Sequence, residues 1–497
     1  MFVIEVKSDY IYNMNRIKIY GIISMLALLS SCDDFLKEVS QDEFEPKTTA
    51  AFRELMNGEG YIINATDPIT YMVDDDVDGC KSTYWTAGTR VRQNLFEWQP
   101  DYWRLEDESS TILPTVTGSY KHLYKTIAAC NIIIENVLNS DGTQEEKDIV
   151  MAEAKTMRAF YYWKLVNTYA LPYNDKLTSP NTNPGVPLVL QSEVKETGMP
   201  RATVAEVYNQ IEADIEEACR LFGDDTTDRG KYRVSYTAAH LFASRVHLFM
   251  EHWDKAIEHA DKALAKAPKL CNLPRYTIDN VNSPTNGVIS VKFPETIFIC
   301  GMKATNGECG LMGTPYNVST SLSSSFTIMD SRTNVYIRPS GYDYPYRILK
   351  FCADEHEFTW RTAELYLNRA EAELELYKQG NAEAGNAFIS DMEALMSTRY
   401  LMHTAPTLSS SAEELQQLLR SERRKELCFE GIRFFDLKRY GMPSYTHTVV
   451  GESGSRTVYT LEERDEFYCI PFPDEALDHN EALVQNPLHP HRVGVAE

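Results

Sequence analysis

The sequence lacks the short motifs that mark most enzyme active sites. Its 497 residues contain no CxxC pair, no HExxH, no GxSxG elbow, no P-loop and no dinucleotide-binding fingerprint. Zinc-ribbon and thioredoxin-type sites, zinc proteases, serine hydrolases and nucleotide-binding enzymes are therefore without support in the sequence.

Positive charge is scarce. Lysine and arginine total 49 against 72 aspartate and glutamate residues, which gives a formal net charge of −23. A surface this acidic repels phosphate backbones, so we expect no nucleic-acid partner. The same charge disfavours docking on anionic lipid through a basic patch.

Cysteines are present but do not form a regular framework. There are ten, and if Cys32 is modified the remaining number is odd, so they cannot all pair within the chain. Cys130, Cys219 and Cys428 fall in helical patterns, where we predict small core residues. One bridge between Cys300 and Cys309 stays open.

The apolar run near the N-terminus is short. It covers residues 19–29 after Arg16 and Lys18, which is too short for a spanning helix and is typical of a signal peptide. The residues Leu29-Ser30-Ser31-Cys32 that end it resemble the lipobox of bacterial lipoproteins. We therefore predict lipid attachment at Cys32, and the alternative is an ordinary secretory signal with an accidental cysteine.

The same segment predicts the domain organisation. Residues 1–31 are interpreted as an N-terminal extension and lipoprotein signal peptide, 32–46 as a lipid-anchored tether, and 47–497 as a single domain. Asp33 and Asp34 resemble the export signal of Bacteroidetes lipoproteins. They imply an outer-membrane location facing the extracellular side.

Amphipathic patterns with capping signals run through the middle and end of the chain. Thr203 with Glu206, and Ser411 with Glu414, are capping boxes ahead of apolar residues at helical spacing. The first opens a helix to Phe222, and we expect the second to reach Tyr440. Further helices are predicted over residues 152–169, 235–250, 253–267 and 360–377, the last capped by Thr359.

These helices predict the fold class. Residues 253–264 (WDKAIEHADKAL) follow a helix and a brief turn, as in a tetratricopeptide unit. Amphipathic helices must pair to bury their apolar faces. We expect a mostly α protein, a tetratricopeptide-like superhelix of about four irregular helix pairs, with Trp163, Trp253 and Trp360 in the core.

Two regions lack helical periodicity. Residues 61–114 (the first loop region) and 273–346 (the second loop region) are rich in Gly, Ser, Thr, Asn, Pro and aromatics. Long irregular stretches in a compact domain are usually functional. We expect loops with short strands that lie over the helical scaffold.

Several segments resemble the SusD/RagB family. The resemblance covers most of the chain after Cys32, and its most specific part is residues 422–439 (the signature segment). The departure is at the end, where Leu488 replaces the usual glycine after Asn486-Pro487. The matching segments are residues 103–131 (W…Y…CN), 153–162 (EAKTMRAFYY), 185–188 with 200–204 (GVPL, PRATV), 363–372 (AELYLNRAEA), 422–427 with 429–439 (ERRKEL, FEGIRFFDLKR), and 470–475 with 486–487 (IPFPDE, NP).

The resemblance implies a function as well as a fold. It implies a SusD-like helical scaffold with an irregular, loop-rich face that binds glycans and needs no cofactor. It also implies a SusC-like TonB-dependent transporter as partner, over which this protein would sit as a lid. We therefore predict a lipoprotein of polysaccharide utilization that delivers glycans for nutrient uptake and is not an enzyme.

Glycan capture needs flat aromatic faces that stack on sugar rings and polar groups that bind hydroxyls. In SusD-type proteins the sugar platform comes from corresponding loop regions, although no binding residue carries over position by position. The candidate ligand-binding residues are Asp76, Trp85, Trp98, Tyr102 and Trp103 in the first loop region, and Tyr316, Tyr336, Tyr342 and Tyr344 in the second.

The signature segment is dense in acids and bases. Glu426 and Glu430 lie one helical turn apart, as paired glycosidase carboxylates could. Interleaved arginines would lower their pKa values and make them poor general acids. We predict a structural ion network made of Glu422, Arg423, Arg424, Glu426, Glu430, Arg433 and Asp436.

Histidines offer no metal motif in the sequence. His247, His252 and His259 lie in or beside the tetratricopeptide-like pair, and His489 and His491 lie near the C-terminus. We assign them packing or solvated roles and predict no metal site.

Three other functions stay open. The scaffold could bind a peptide or another nutrient. A surface glycosidase would need two carboxylates in one cleft, roughly 5–9 Å apart. An assembly scaffold would bind protein and no small ligand.

Overall fold

The computed structural model describes residues 46–62, 69–81, 90–103, 114–193, 198–281, 284–301, 317–339, 346–350, 358–403, 411–451 and 453–497. Residues Thr48–Glu497 form one compact unit. Met1–Lys47 form a separate unit, and Cys32 lies outside the described residues. Within the described residues no helix is long and apolar enough to cross a bilayer.

The described part is mostly helical, as the sequence predicted. The α-helices are α1 Thr49–Leu55, α2 Ile69–Met72, α3 Arg90–Phe96, α4 Pro114–Asn136, α5 Gln144–Tyr169, α6 Val204–Phe222, α7 Tyr236–Phe249, α8 Trp253–Leu264, α9 Thr320–Ser323, α10 Thr362–Lys378, α11 Ala382–Met396, α12 Ala412–Leu427, α13 Arg433–Arg439 and α14 Asp474–Asp478. A π-helical turn, Met56–Gly60, follows α1.

The strands are short. They are β1 Val77–Asp78, β2 Cys80–Lys81, β3 Thr296–Cys300, β4 Asn317–Val318, β5 Ile337–Pro339, β6 Tyr346–Ile348, β7 Phe358–Arg361, β8 Tyr445–Val450, β9 Arg456–Leu461 and β10 Val495–Ala496. Three two-stranded sheets pair β1 with β4, β3 with β7 and β5 with β6. A four-stranded sheet has the order β10-β9-β8-β2, in which β2 runs parallel to β8.

Helices that follow one another in sequence pack together. Contacts join α4 to α5, α5 to α6, α7 to α8 and α10 to α11, and α8 also packs on α10. Small residues on α8 permit this close approach, since Ala256, Ala260 and Ala263 are all fully buried. The result is the tetratricopeptide-like scaffold that the spacing of apolar residues predicted.

The helix ends are fixed by local chemistry. Thr203 and Ser411 form the predicted capping boxes, in which each side chain accepts from the third backbone NH and the Glu at that position bonds back. A third box was not predicted: Thr143 caps α5, which therefore begins at Gln144 and not at residue 152.

Two predicted helices were wrong at their ends. The residues around Thr359 form β7, because Phe298 and Trp360 pair across it in a fully buried ladder with β3, and α10 begins at Thr362. The helix from Ser411 stops at Leu427, because Phe429 and Gly431 adopt positive φ values of 61° and 70°. That break turns the chain into the separate helix α13.

The tryptophans of the helical patterns are only partly where we expected them. Trp163 and Trp360 are each 1% exposed, deep in the main core. Trp253 is half-buried and packs at the margin of a small cluster with Ala256 and Leu248. As the first residue of α8, it lies at the end of the packed face.

Candidate functional site

The charged side chains of the signature segment are mostly buried and held in ion pairs. We expected the segment's own arginines to neutralise Glu426 and Glu430, and that was wrong. The cations that pair with these two carboxylates are Arg361, Arg399 and Lys350, which lie outside the segment. Glu422, Arg423, Glu426, Glu430 and Asp436 are all less than 7% exposed. Burying an ion is costly unless partners surround it. We call this set, with Arg424 and Arg433, the signature network.

One branch of the network holds the start of the first loop region. Arg424 donates to the Asp76 carboxylate at 2.8 Å and to the Asp75 carbonyl at 2.6 Å. Arg433 donates to both carboxylate oxygens of Asp75, at 2.7 and 2.9 Å. Burial would raise the pKa of Asp75, but Arg433 and Arg424 lower it to about 2. The turn before β1 is thus tied to α12 and α13 by bidentate charge-assisted bonds.

A second branch holds the second loop region. Glu426 accepts from Arg361 Nη1 at 2.9 Å, from Arg399 Nε at 2.8 Å and from the Tyr336 hydroxyl at 2.8 Å. Lys350 donates to the Glu426 carbonyl at 2.6 Å and to the Cys428 carbonyl at 2.9 Å. Both sides of the hairpin β5–β6 are therefore fixed to the end of α12.

Arg332 extends this branch. Its Nη2 donates to Asp330 at 2.8 Å and to Glu422 at 2.7 Å, and the Tyr400 hydroxyl donates to the same glutamate at 2.5 Å. Arg332 is fully buried. The 3-10 turn Ser331–Asn334 is therefore held on the same helix, where Arg332 meets both Glu422 and Glu426.

The two loop regions meet in backbone pairing. β1 and β4 pair antiparallel, with Val77 opposite Val318 and Asp78 opposite Asn317. Ser319 NH donates to the Asp76 carbonyl at 2.9 Å. Two segments more than two hundred residues apart in sequence are thereby joined through β1 and β4.

Five of the predicted ligand-binding residues are in the core, so the prediction that they present themselves to a ligand was wrong for this structure. Asp76, Trp98, Tyr102 and Tyr336 are fully buried, and Trp103 is 5% exposed. Loop composition cannot tell an aromatic that packs beneath a loop from one that faces outward, and here the former applies.

Trp98 illustrates the packing. Its Nε1 donates to the Val73 carbonyl at 3.1 Å, and its ring stacks on His447 with centroids 4.1 Å apart. Tyr102 and Trp103 meet edge to face at 4.9 Å. These side chains pack in the core beneath the first loop region. The other four candidates, Trp85, Tyr316, Tyr342 and Tyr344, lie outside the described residues.

The surroundings of the paired carboxylates of the signature segment favour their ionised form. Burial opposes ionisation of Glu426, but Arg399 and Arg361 hold its pKa well below the ordinary value. Burial likewise opposes ionisation of Glu430, and Arg361 and Lys350 lower its pKa. Both carboxylates are closed to solvent and committed to internal partners.

A cavity of about 590 Å³ lies between α4, residues 187–193 and α14; we call it the tyrosine cleft. Tyr120 and Tyr124 form one wall, four residues apart on α4 with ring centroids 4.8 Å apart. Sequence reasoning missed this cleft, although the i, i+4 spacing of the tyrosines was a usable signal.

Several polar groups around the tyrosine cleft already have partners. The Tyr124 hydroxyl donates to the Pro187 carbonyl at 2.8 Å, and Lys121 pairs with Glu475 at 2.8 Å. Asn480 exchanges two hydrogen bonds with the Met199 backbone. The lining is otherwise mostly apolar, so the cleft suits an apolar group better than a hydroxyl-rich sugar.

Comparison with models of known protein families identifies the family of this chain. A model described as "Starch-binding associating with outer membrane" (SusD-like) matches residues 34–248, and the SusD/RagB family model matches residues 352–489. The second match contains the whole signature segment. The chain belongs to the SusD/RagB family.

Solved structures share the fold of this SusD/RagB chain. A SusD superfamily protein from Bacteroides thetaiotaomicron has a TM-score of 0.69 at 20% identity, covering 88% of this chain and 100% of that one. A SusD-like carbohydrate binding protein from Bacteroides vulgatus has a TM-score of 0.65 at 22% identity, covering 88% and 97%. A laminarin binding SusD-like protein has a TM-score of 0.62 at 19% identity, covering 89% and 100%.

A curated relative is similar over a shorter stretch. A SusD-like protein of Formosa agariphila is 28% identical over 134 residues, which are 27% of this chain and 23% of that protein. The match thus spans less than a quarter of the relative's length.

Proposed function

We propose that this SusD/RagB-family protein binds oligosaccharides or polysaccharides at the cell surface and has no catalysis of its own. The observation that carries the proposal is the β1–β4 pairing, which brings described residues of the two aromatic-rich loop regions together. The buried charges of the signature network pair with one another and with residues of the loop regions. This supports a structural role for them and not a catalytic one.

The sugar platform is assigned to Trp85, Tyr316, Tyr342 and Tyr344. They lie in segments whose flanking residues are anchored by the network and by paired strands. Aromatic rings in such loops would stack on sugar C–H faces. Similar proteins support a glucan ligand, since one binds laminarin and the matching family model is described as starch-binding.

The protein is further proposed to be anchored by lipid at Cys32 to the outer membrane, facing outward, and to deliver its ligand to a SusC-like TonB-dependent transporter. Family membership supports both parts. Cys32→Ser should move the protein out of the membrane fraction. Native purification should bring down a TonB-dependent transporter, and recovery of the wild type alone from detergent extracts would contradict the partnership.

Calorimetric titration of the purified protein against laminarin and malto-oligosaccharides, other glycans and peptides tests the function. We expect saturable binding to one glycan class and no new reducing ends in the same samples. Cleavage would overturn the non-catalytic assignment in favour of a glycosidase. Binding to peptides alone, or to none of the ligands, would overturn glycan capture in favour of the other two functions.

Two variants locate the site. Trp85→Ala should weaken glycan binding at least tenfold, because it removes a stacking face. Leu190→Ala in the tyrosine cleft, where the side chain is 36% exposed, should leave affinity unchanged. The reverse pattern would move the site to the cleft.

A further inference from the structure

Four histidines from the tetratricopeptide-like pair come together beside α6. His240 and His247 lie on α7, His252 precedes α8 and His259 lies on α8. Glu212 and Glu216 face them from α6. We call these six residues the histidine cluster. Sequence spacing hid it, because the ligand types come from separate helices and form no short motif.

Within the cluster, one carboxylate oxygen meets two imidazole nitrogens. Glu216 Oε1 lies 2.9 Å from His247 Nε2 and 3.5 Å from His259 Nε2. The two imidazoles are buried, whereas Glu216 is 38% exposed. The three ligand atoms lie within 4.8 Å of one another. The site is thus lined by imidazole and open on the carboxylate side.

The imidazoles are already oriented. His259 Nδ1 lies 2.8 Å from His240 Nδ1, so one ring donates to the other. With His259 as the donor, its Nε2 carries a free lone pair that points toward Glu216. Ligating histidines in metal sites characteristically donate their second ring NH in this way.

The second ring nitrogen of His247, Nδ1, faces Glu212 and not Glu216, so it is the nitrogen that would carry the proton when Nε2 binds a metal. The His247 side chain is fully buried, and Nδ1 has no hydrogen-bond partner. The nearest acidic atom, Glu212 Oε1, is 3.8 Å away. The ring is held in this orientation by Nε2, the nitrogen that faces Glu216.

We propose that Glu216, His247 and His259 bind a divalent transition-metal ion of the zinc class, with a fourth position open to water. Two imidazoles and a carboxylate are ligands that such ions prefer. Metal–ligand distances of about 2.0–2.1 Å would place tetrahedral ligand atoms about 3.4 Å apart, so the observed spacing needs only small side-chain adjustments.

The lysines near Glu216 do not prevent a cation from binding there. Lys255 lies 2.8 Å from Glu212 and 3.5 Å from Glu216, and is about half exposed. Its flexible stem can withdraw toward solvent when a metal takes its place beside the carboxylates. Lys262 is paired with Glu258 and makes no ion pair with Glu216.

Two other ligand sets overlap with this one and are less suitable. Cys219, His240 and His259 are all buried, and their use would break the His240–His259 bond. In the set of Glu212, His247 and His252, the His252 side chain is 39% exposed, and Lys255 lies closer to Glu212 than to Glu216. The Glu216 set alone combines buried, oriented imidazoles with an accessible carboxylate.

Bound metal would join α6, α7 and α8, since each contributes one ligand. These helices form consecutive walls of the scaffold. The ion would therefore stabilise the folded state of the scaffold and raise its melting temperature, with a stabilisation that grows with the logarithm of the free metal concentration. This role is independent of glycan binding by the loop regions.

Zinc titration of the untagged, chelator-stripped full chain tests the proposal by calorimetry and by thermal unfolding. We expect one ion per chain and a higher melting temperature with zinc. Glu216→Gln and His259→Gln should each weaken binding at least tenfold, while circular dichroism without metal stays as in the wild type. Co²⁺ substitution should give the visible absorption of a four-coordinate site.

The other ligand sets provide the matched controls. Cys219→Ser and His252→Gln should bind zinc as the wild type does. Loss of binding in either of these, with Glu216→Gln unaffected, would overturn the assigned ligands. Absence of saturable zinc binding to the folded wild type would overturn the site altogether.

Discussion

At the scale of single residues, burial decides what a charge can do. Glu426 is fully buried, but it accepts hydrogen bonds from Arg361, Arg399 and Tyr336, so its charge is matched on several sides. Such a group contributes little over an apolar residue while its partners are present. Removal of the Glu426 charge is costly, because Arg361 and Arg399 would stay buried without their counter-charge.

Glu426→Gln should therefore destabilise the protein by about 3–5 kcal/mol, since Arg361 and Arg399 would lose their shared counter-charge. Urea unfolding followed by circular dichroism measures this. Glu413→Gln, at the exposed first turn of the same helix, is the matched control and should change stability by less than about 0.5 kcal/mol. Equal effects would show that the network does not depend on this charge.

Glu373 shows the opposite case, a buried carboxyl without adequate compensation. Burial, and then Asp391, raise its pKa from 4.5 to about 8. Since the folded pKa lies above the ordinary value, the protonated form favours folding. The stability from this group is complete below about pH 4.5 and declines as pH rises towards 8.

Glu373→Gln, which resembles the protonated form, should stabilise the protein at pH 8 by on the order of 1–3 kcal/mol and have little effect at pH 4. Unfolding curves at both pH values measure the difference. Glu375→Gln, on the same helix and paired with Lys378, serves as control. A gain for Glu373→Gln that is the same at both pH values would contradict the assigned pKa.

At the scale of elements, helix capping could be predicted from the sequence, whereas strand pairing between distant segments could not. Thr203 and Ser411 predicted the starts of α6 and α12, because a capping box is a bond between residues three apart. β7 was missed, because its pairing with β3 joins residues about sixty positions apart. Tertiary pairing there overrode a helical spacing of apolar residues.

The break between α12 and α13 contains two residues of positive φ, Phe429 and Gly431. Gly431 has a φ of 70°, which an L-residue adopts only at a cost. Gly431→Ala should destabilise the protein by about 1 kcal/mol. Gly58→Ala, where an added Cβ meets open space, should be neutral or slightly stabilising. Urea unfolding measures the stability of both variants. An unchanged stability in Gly431→Ala would contradict the predicted cost of a positive φ at this position.

The candidate site was predictable only in part for the same physical reason. The alternation of acids and bases indicated a structural role for the signature segment. It did not indicate the partners of Glu426 and Glu430, because Arg361, Arg399 and Lys350 lie outside the segment. Which loop aromatics face outward could not be predicted, because Trp98 and Tyr102 are buried by segments distant in sequence. The histidine cluster depends likewise on three helices that meet only in the fold.

At the scale of the whole molecule, the signature network links the scaffold to the face that it carries. Arg433 and Arg424 hold the first loop region through Asp75 and Asp76, while Glu426 holds the second. The mutual position of the two loop regions therefore depends on α12 and α13. A weakened link should cost ligand affinity without touching a ligand contact.

Arg433→Lys should accordingly weaken glycan binding by about tenfold, or about 1.4 kcal/mol, because a lysine cannot bind both oxygens of Asp75 in the same geometry. Calorimetric titration measures the affinity. Arg220→Lys, an exposed arginine at the end of α6, is the control and should bind as the wild type does. Unchanged affinity in Arg433→Lys would separate the network from the binding face.

The central claim is that both loop regions together form the glycan-binding face. Hydrogen–deuterium exchange of the full chain, with and without saturating laminarin or malto-oligosaccharide, tests it most directly. The account predicts ligand-induced protection in peptides covering residues 77–103 and 302–348, with helices α5 to α8 unchanged. Protection confined to residues 187–193 and α14, or to the helices, would contradict it.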